Sequence, residues 1–138
     1  MTKQSRYSYS ETVERLTKAI TAGGNIIFAT IDQAAAAKAV GLALRPTALV
    51  IFGNPKGGTP LMDGFPLVAL ELPLKLLVWK EGDAVTVAYA TMSEIAARYG
   101  VNGMDERIAA MDRAMDALTN VVAQRVELLP KLVLEENG

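Results

Sequence analysis

The chain has 138 residues, 51% hydrophobic and 21% charged, which suits one domain with its own core and excludes intrinsic disorder. It has no cysteine and no histidine, so a disulfide framework, a cysteine nucleophile, the common Cys/His zinc sites and a Ser-His-Asp triad are excluded. Fourteen basic against fifteen acidic side chains give a net charge of −1, which offers nothing like the basic surface that binds nucleic-acid phosphates.

The start of the chain lacks the apolar core of a secretory signal. The greasiest stretch, residues 67–79, is interrupted by Glu71, Pro73 and Lys75 and is too short and broken to span a bilayer. A cytoplasmic protein with no membrane association is the expectation.

Residues 4–9 alternate polar and aromatic side chains and predict a short strand. Ser10 stands as the cap of a helix over 11–22, with Val13, Leu16 and Ile20 on one face and Gly23-Gly24 as the stop. Residues 25–31 are apolar on both strand faces. Asp32 stands at an N-cap position before an Ala-rich helix over 33–40 that Gly41 ends. Residues 47–52 form a second strand apolar on both faces. A turn-rich loop over 53–60 and a helical turn at 60–64 follow. Residues 74–80 and 84–90 read as a hairpin around Glu81-Gly82-Asp83.

Thr91 and Glu94 have capping-box spacing and open a short helix ending at Gly100. The longest helix is expected over 104–129, with Ile108, Met111, Met115, Leu118, Val122, Val126 and Leu129 on one face, until Pro130 ends it. The order predicts one α+β domain over residues 1–138, a two-layer α/β sandwich with a mixed sheet, a long C-terminal helix and a tail at 130–138. Strands apolar on both faces need cover, and a homodimer burying the spare sheet face supplies it.

Three places invite a functional reading. The loop 53–60 pairs glycines with Lys56 after a strand, a pattern that cradles anions through backbone N–H groups. Its likeness to a phosphate-binding loop of nucleotide hydrolases is superficial, because Thr59 and Pro60 stand where lysine and serine or threonine are needed. Read as structure alone, it is a rigid turn. Glu71, between Leu70 and Leu72, is a carboxylate in apolar company whose pKa should rise, which would suit a general acid or base with Lys75 as its neighbour. Trp79 and Tyr89, on the two arms of the hairpin, would serve either a ligand floor or the core. No acidic cluster has metal-ligand spacing, so neither metal nor cofactor is expected. Residues 1–60 carry seven basic and three acidic side chains, net +4, and residues 61–138 seven and twelve, net −5, an asymmetry that would assist self-association.

The segments Ile26-Ile27-Phe28-Ala29-Thr30-Ile31-Asp32, Gly41-Leu42-Ala43-Leu44-Arg45-Pro46-Thr47, Phe52-Gly53-Asn54-Pro55-Lys56 with Gly58-Thr59-Pro60-Leu61-Met62, and Leu72-Pro73-Leu74-Lys75 with Leu77-Val78-Trp79 occur in the order of a bacterial and archaeal family. The chain resembles domain of unknown function 302 over about residues 5–125. That resemblance implies a small two-layer domain, usually a stand-alone homodimer, and implies no activity. It also marks two departures. Relatives often carry histidine where this chain has Gln33 and Tyr99, and glutamine cannot titrate near neutrality.

The leading expectation is a non-catalytic, dimeric domain that binds a small molecule or anion. Its pocket would use Asp32, Gln33, Asn54, Lys56, Gly58 and Thr59, with Glu71 and Lys75 as neighbours. The alternatives are an enzyme using Glu71 as acid or base, and an interaction protein acting through an apolar face and the tail after Pro130.

Overall fold

The computed structural model describes residues 1–124. Five strands, β1 (Thr2–Gln4), β2 (Ile26–Asp32), β3 (Thr47–Gly53), β4 (Leu74–Glu81) and β5 (Ala84–Ala88), form one sheet in the order β1-β5-β4-β3-β2. Five helices, α1 (Tyr9–Ala22), α2 (Gln33–Ala39), α3 (Pro55–Gly64), α4 (Met92–Tyr99) and α5 (Asp105–Asn120), complete an α+β fold, with a 3₁₀ turn at Pro66–Leu70.

Every strand pair is antiparallel, where the sequence predicts a mixed sheet. A helix between two doubly apolar strands suggests a parallel crossover. α2 is only seven residues long, rising about 10 Å against a strand of roughly 23 Å, and by itself does not carry the chain back to the start of β2. The chain turns back instead, and β3 pairs directly with β2, Asp32 opposite Ala48 and Ile26 opposite Gly53.

Val50 and Phe52 of β3, Leu76 and Val78 of β4, and Val85 and Val87 of β5 pack beneath Leu16 and Ile20 of α1 and Met115 of α5. Each fully buried aliphatic side chain contributes about 1.5–3 kcal/mol by leaving water. A second cluster joins Leu61 of α3, Val68, Leu72, Met92 and Ile95 of α4, and Ile108 of α5. α5 therefore has one end in each cluster.

Several element boundaries differ from those expected. α1 begins at Tyr9 because Ser8, not Ser10, accepts the Glu11 N–H; Ser8 and Glu11 have capping-box spacing. β1 ends by residue 5, where the Ser5 hydroxyl turns inward to Thr12, 2.6 Å away. The segment 53–60 is largely helix. Asn54 caps it through the Lys56 N–H and Pro55 takes a first-turn position, which its fixed φ suits. Pro60, inside this helix, has no N–H for the Lys56 carbonyl four residues back. That carbonyl instead accepts a bond from Arg107 of α5, 3.4 Å away. α5 stops at Asn120, short of 129. Val122 keeps the helical spacing and is buried, but its carbonyl accepts the Arg6 N–H, and Gln124 N–H donates to Gln4. Residues 125–129 of the expected helix and the tail 130–138 lie outside the described residues.

A candidate binding cleft between the first and last helices

The C-terminal half of α1 and α5, from Asp105 to Leu118, flank one end of the sheet. The cleft between them has a volume of about 1470 Å³. Its floor is Phe52 and Leu74, ends of adjacent strands paired in register. Ala19 and Ala22 line the α1 side, and Ala110, Met111, Ala114, Met115 and Leu118 the α5 side. Steps of three and four place these α5 residues on one helix face. Small alanines on both walls leave room that larger side chains would take. Asn25, Asn54, Asp105, Glu106 and Arg107 supply polar groups among the lining residues. A smaller apolar hollow of about 120 Å³ adjoins it, sharing Asn54, Leu74 and Met111 and adding Phe28, Gly58, Thr59 and Leu72.

The residues expected to form one pocket fall into three places. Asn54, Gly58 and Thr59 line the smaller hollow. Gly58 lies where a Cβ would meet Leu72 and Met62 at ordinary contact distance, 3.6 and 3.7 Å. Lys56 is exposed beside them. The first-turn amides of α3 already have acceptors: Lys56 N–H donates to the Asn54 side chain, and Gly57 and Gly58 N–H donate to the Asn54 carbonyl. The donors that an anion would need are therefore engaged.

Asp32 and Gln33 lie at the other end of the sheet. Asp32 caps α2 through the Ala35 N–H at 2.8 Å, and Gln33 is the exposed first residue of that helix. Asp32 pairs with Ala48, six residues before Asn54, a separation of roughly 20 Å along a strand. No small ligand reaches both groups.

Glu71 forms the third group. Its Oε1 accepts the Tyr99 hydroxyl at 2.9 Å and the Arg98 guanidinium at 3.0 Å. Lys75 Nζ donates, at 3.4 Å, to the Glu71 backbone carbonyl. The Tyr99 hydroxyl, with help from Arg98, holds the Glu71 carboxyl below its ordinary value, while the same contact raises the Tyr99 phenol. The raised Glu71 pKa expected from the sequence is thus reversed, because specific donors outweigh the desolvation. Tyr99 and Gln33, the two positions where the family resemblance sets histidine, belong to different places and share no site.

Trp79 and Tyr89 also part. Tyr89 is in the core, whereas Trp79 pairs with Thr47 and Thr86, out of step with the buried Val78 and hence on the opposite sheet face. Among the described residues no three acidic side chains gather as a metal site would require. No described helix is long and apolar enough to cross a membrane.

Sequence reasoning missed the cleft, the Arg98–Glu71–Tyr99 cluster and Arg107. The signal for the cleft was the alanine spacing at 19, 22, 110 and 114 beside the methionines, which by itself looks like close helix packing.

Comparison with known proteins agrees with this architecture. The crystal structure of an uncharacterized conserved DUF302 protein from Bacillus stearothermophilus superposes with a TM-score of 0.80 at 19% identity, covering 87% of this chain and 94% of that one. A segment of 82 residues, 59% of the chain, is 43% identical to part of the fluoride-specific ion channel FluC 1 of Brucella suis biovar 1 and to its namesake in Brucella abortus biovar 1. The matched segment spans only 32% and 30% of those proteins. The pattern of the family described as "Domain of unknown function DUF302" matches residues 1–118, and the chain belongs to that family.

Proposed function

We propose that this DUF302 domain is a non-catalytic binding domain that takes an apolar or amphipathic small molecule in the cleft between α1 and α5. The observation that carries the reading is the lining: an open cleft of about 1470 Å³ with an apolar floor, largely apolar walls and polar groups from Asn25, Asn54, Asp105, Glu106 and Arg107. Ligand sites commonly combine an apolar lining with a few placed polar groups. Methionine adapts to occupants of varied shape. An anion is less well served, since the amides at the start of α3 are engaged.

The test is native mass spectrometry of the purified chain, followed by titration with a fluorescent fatty acid. Ala110 and Ala114 are exposed positions on the cleft wall. Ala110→Trp and Ala114→Trp should each weaken probe binding at least about tenfold with unchanged circular dichroism, by occupying the space. Probe binding that ignores both substitutions refutes the assignment.

A second reading rests on the fluoride-channel match. Where a segment 43% identical belongs to a protein named as an ion channel, the same cleft would serve as a groove for an amphipathic helix of a membrane partner. The check is titration of this chain against the Brucella suis channel with its matched segment deleted. Absence of binding at about 100 µM, weaker than typical specific interfaces, rejects that partner.

A further inference from the structure

We infer that the occupant of the α1–α5 cleft is an amphiphile with a carboxylate head, and that Arg107 is the residue that selects the head. This rests on the cleft being the binding site, and it adds the charge of the ligand and the end at which the ligand is held. The two ends of the cleft differ. Asn25 directly precedes β2, whose Ile26 pairs with Gly53, so Asn25 and Asn54 stand at one end. Arg107 joins them there, because its guanidinium donates to the Lys56 carbonyl at 3.4 Å. Leu118 and Val121 line the cleft at the other end of α5. From Arg107 to Leu118 the helix rises roughly 16 Å. Between them the wall is Ala110, Met111, Ala114 and Met115, over the floor of Phe52 and Leu74. A polar end with an apolar run beyond it suits an amphiphile lying lengthwise.

Asp105, Glu106 and Arg107 are all charged residues of the polar end, and helix geometry separates them. At about 100° per residue, the lining positions 110, 111, 114, 115 and 118 centre on one direction, and position 107 falls within roughly 10° of it. Position 106 is about 110° away and position 105 about 150° away. The two carboxylates also have a structural role, since acidic groups in the first turn of α5 complement the helix dipole. Arg107 has the opposite sign from the one that end of a helix favours.

Arg107 forms no ion pair among the described residues. Its partner, the Lys56 carbonyl, is the group that Pro60 leaves without a helical donor. That bond engages one N–H of a guanidinium, which carries about five. Arg107 is therefore fixed at the cleft by a neutral group, with its charge uncompensated and most of its donors unused. A planar guanidinium matches a carboxylate through two parallel hydrogen bonds. A bare anion would leave the apolar floor unfilled, whereas an acid with an alkyl chain fills both parts of the cleft.

The experiment is calorimetric titration of the full chain with decanoate, decanol and decylammonium, each below its micelle concentration. Decanoate is expected to bind at least about tenfold more tightly than decanol. Arg107→Gln should bring that ratio within about threefold of unity, and Arg107→Lys should leave it in between, because an ammonium keeps the charge and lacks the fork. Decanol binding as tightly as decanoate, or decylammonium binding best, overturns the carboxylate head and leaves the cleft as a binding site. A decanoate preference that survives Arg107→Gln overturns the role of Arg107. Failure of all three to bind removes the binding cleft and the head-group site together. Should circular dichroism show that Arg107→Gln misfolds, the unaltered chain decides. Arg107 is exposed, so raising salt from about 20 to 500 mM should shrink the ratio of decanoate to decanol affinity by screening. A ratio indifferent to salt overturns the proposal.

Discussion

Glu71 stands between two leucines in the sequence, and its flanks alone point to a hard-to-ionise carboxyl. The fold supplies what those flanks omit. α4 brings Arg98 and Tyr99, 27 and 28 residues away, onto one carboxylate oxygen. The Arg98 side chain is 59% exposed, so solvent screens the ion pair and the phenol contact matters more. Glu71 titrates below the ordinary value of a glutamate carboxyl when folded. Its contribution to stability is therefore complete above that value and is lost as pH falls through the lower folded pKa. Tyr99→Phe should move the Glu71 pKa upward, followed by NMR, and lower stability at neutral pH. Glu71→Gln should flatten the acid limb of the stability curve. A steep limb persisting in Glu71→Gln would assign it to another carboxylate, with Asp116, held down by Lys3 at 2.7 Å, the next to try.

Among the elements, α4 separates what local sequence reveals from what it cannot. Thr91 and Glu94 have the spacing of a cap, and the Thr91 hydroxyl does accept the Glu94 N–H. The same helix start is held a second time by Asp112 of α5. Its carboxylate accepts the Met92 N–H at 2.6 Å, the Ser93 N–H at 3.2 Å and the Ser93 hydroxyl. In the sequence Asp112 belongs to a polar helix face, and nothing local distinguishes it from Asp116. Asp112→Ala should cost about 1–3 kcal/mol, since it strips the acceptor from the part-buried Met92 amide. Urea unfolding measures it, and a loss no larger than an ordinary surface substitution would mean that water replaces the carboxylate. α3 shows the converse difficulty. Asn-Pro and Gly-Gly favour turns, and the cap on Lys56, the bond from Arg107 and the burial of Leu61 hold them as a helix. Asn54→Ala should cost about 1 kcal/mol by removing that cap, read from the same unfolding curves.

At the scale of the molecule, element order and the α+β class follow from local periodicity, while the strand directions and the cleft do not. Directions depend on which edges pair after the chain leaves β2, and the connection at 33–46 is long enough to permit either direction. The cleft depends on how far α1 and α5 stand apart, which packing between distant segments decides. α5 is the piece on which both arguments converge. Met115 belongs to the sheet cluster and Ile108 to the cluster of α3 and α4, seven residues apart on one helix face. A rigid helix spanning both clusters should make them unfold together. Met115→Ala and Ile108→Ala should each destabilise by about 2–5 kcal/mol, lowering the melting temperature by roughly 10 °C. In both variants the fluorescence of the single tryptophan, Trp79 in β4, should melt with the far-ultraviolet circular dichroism. If Ile108→Ala leaves the Trp79 transition in place while helical signal is lost at lower temperature, the α3–α4 cluster is an independently melting unit. α5 would then be the hinge of the cleft rather than its fixed wall.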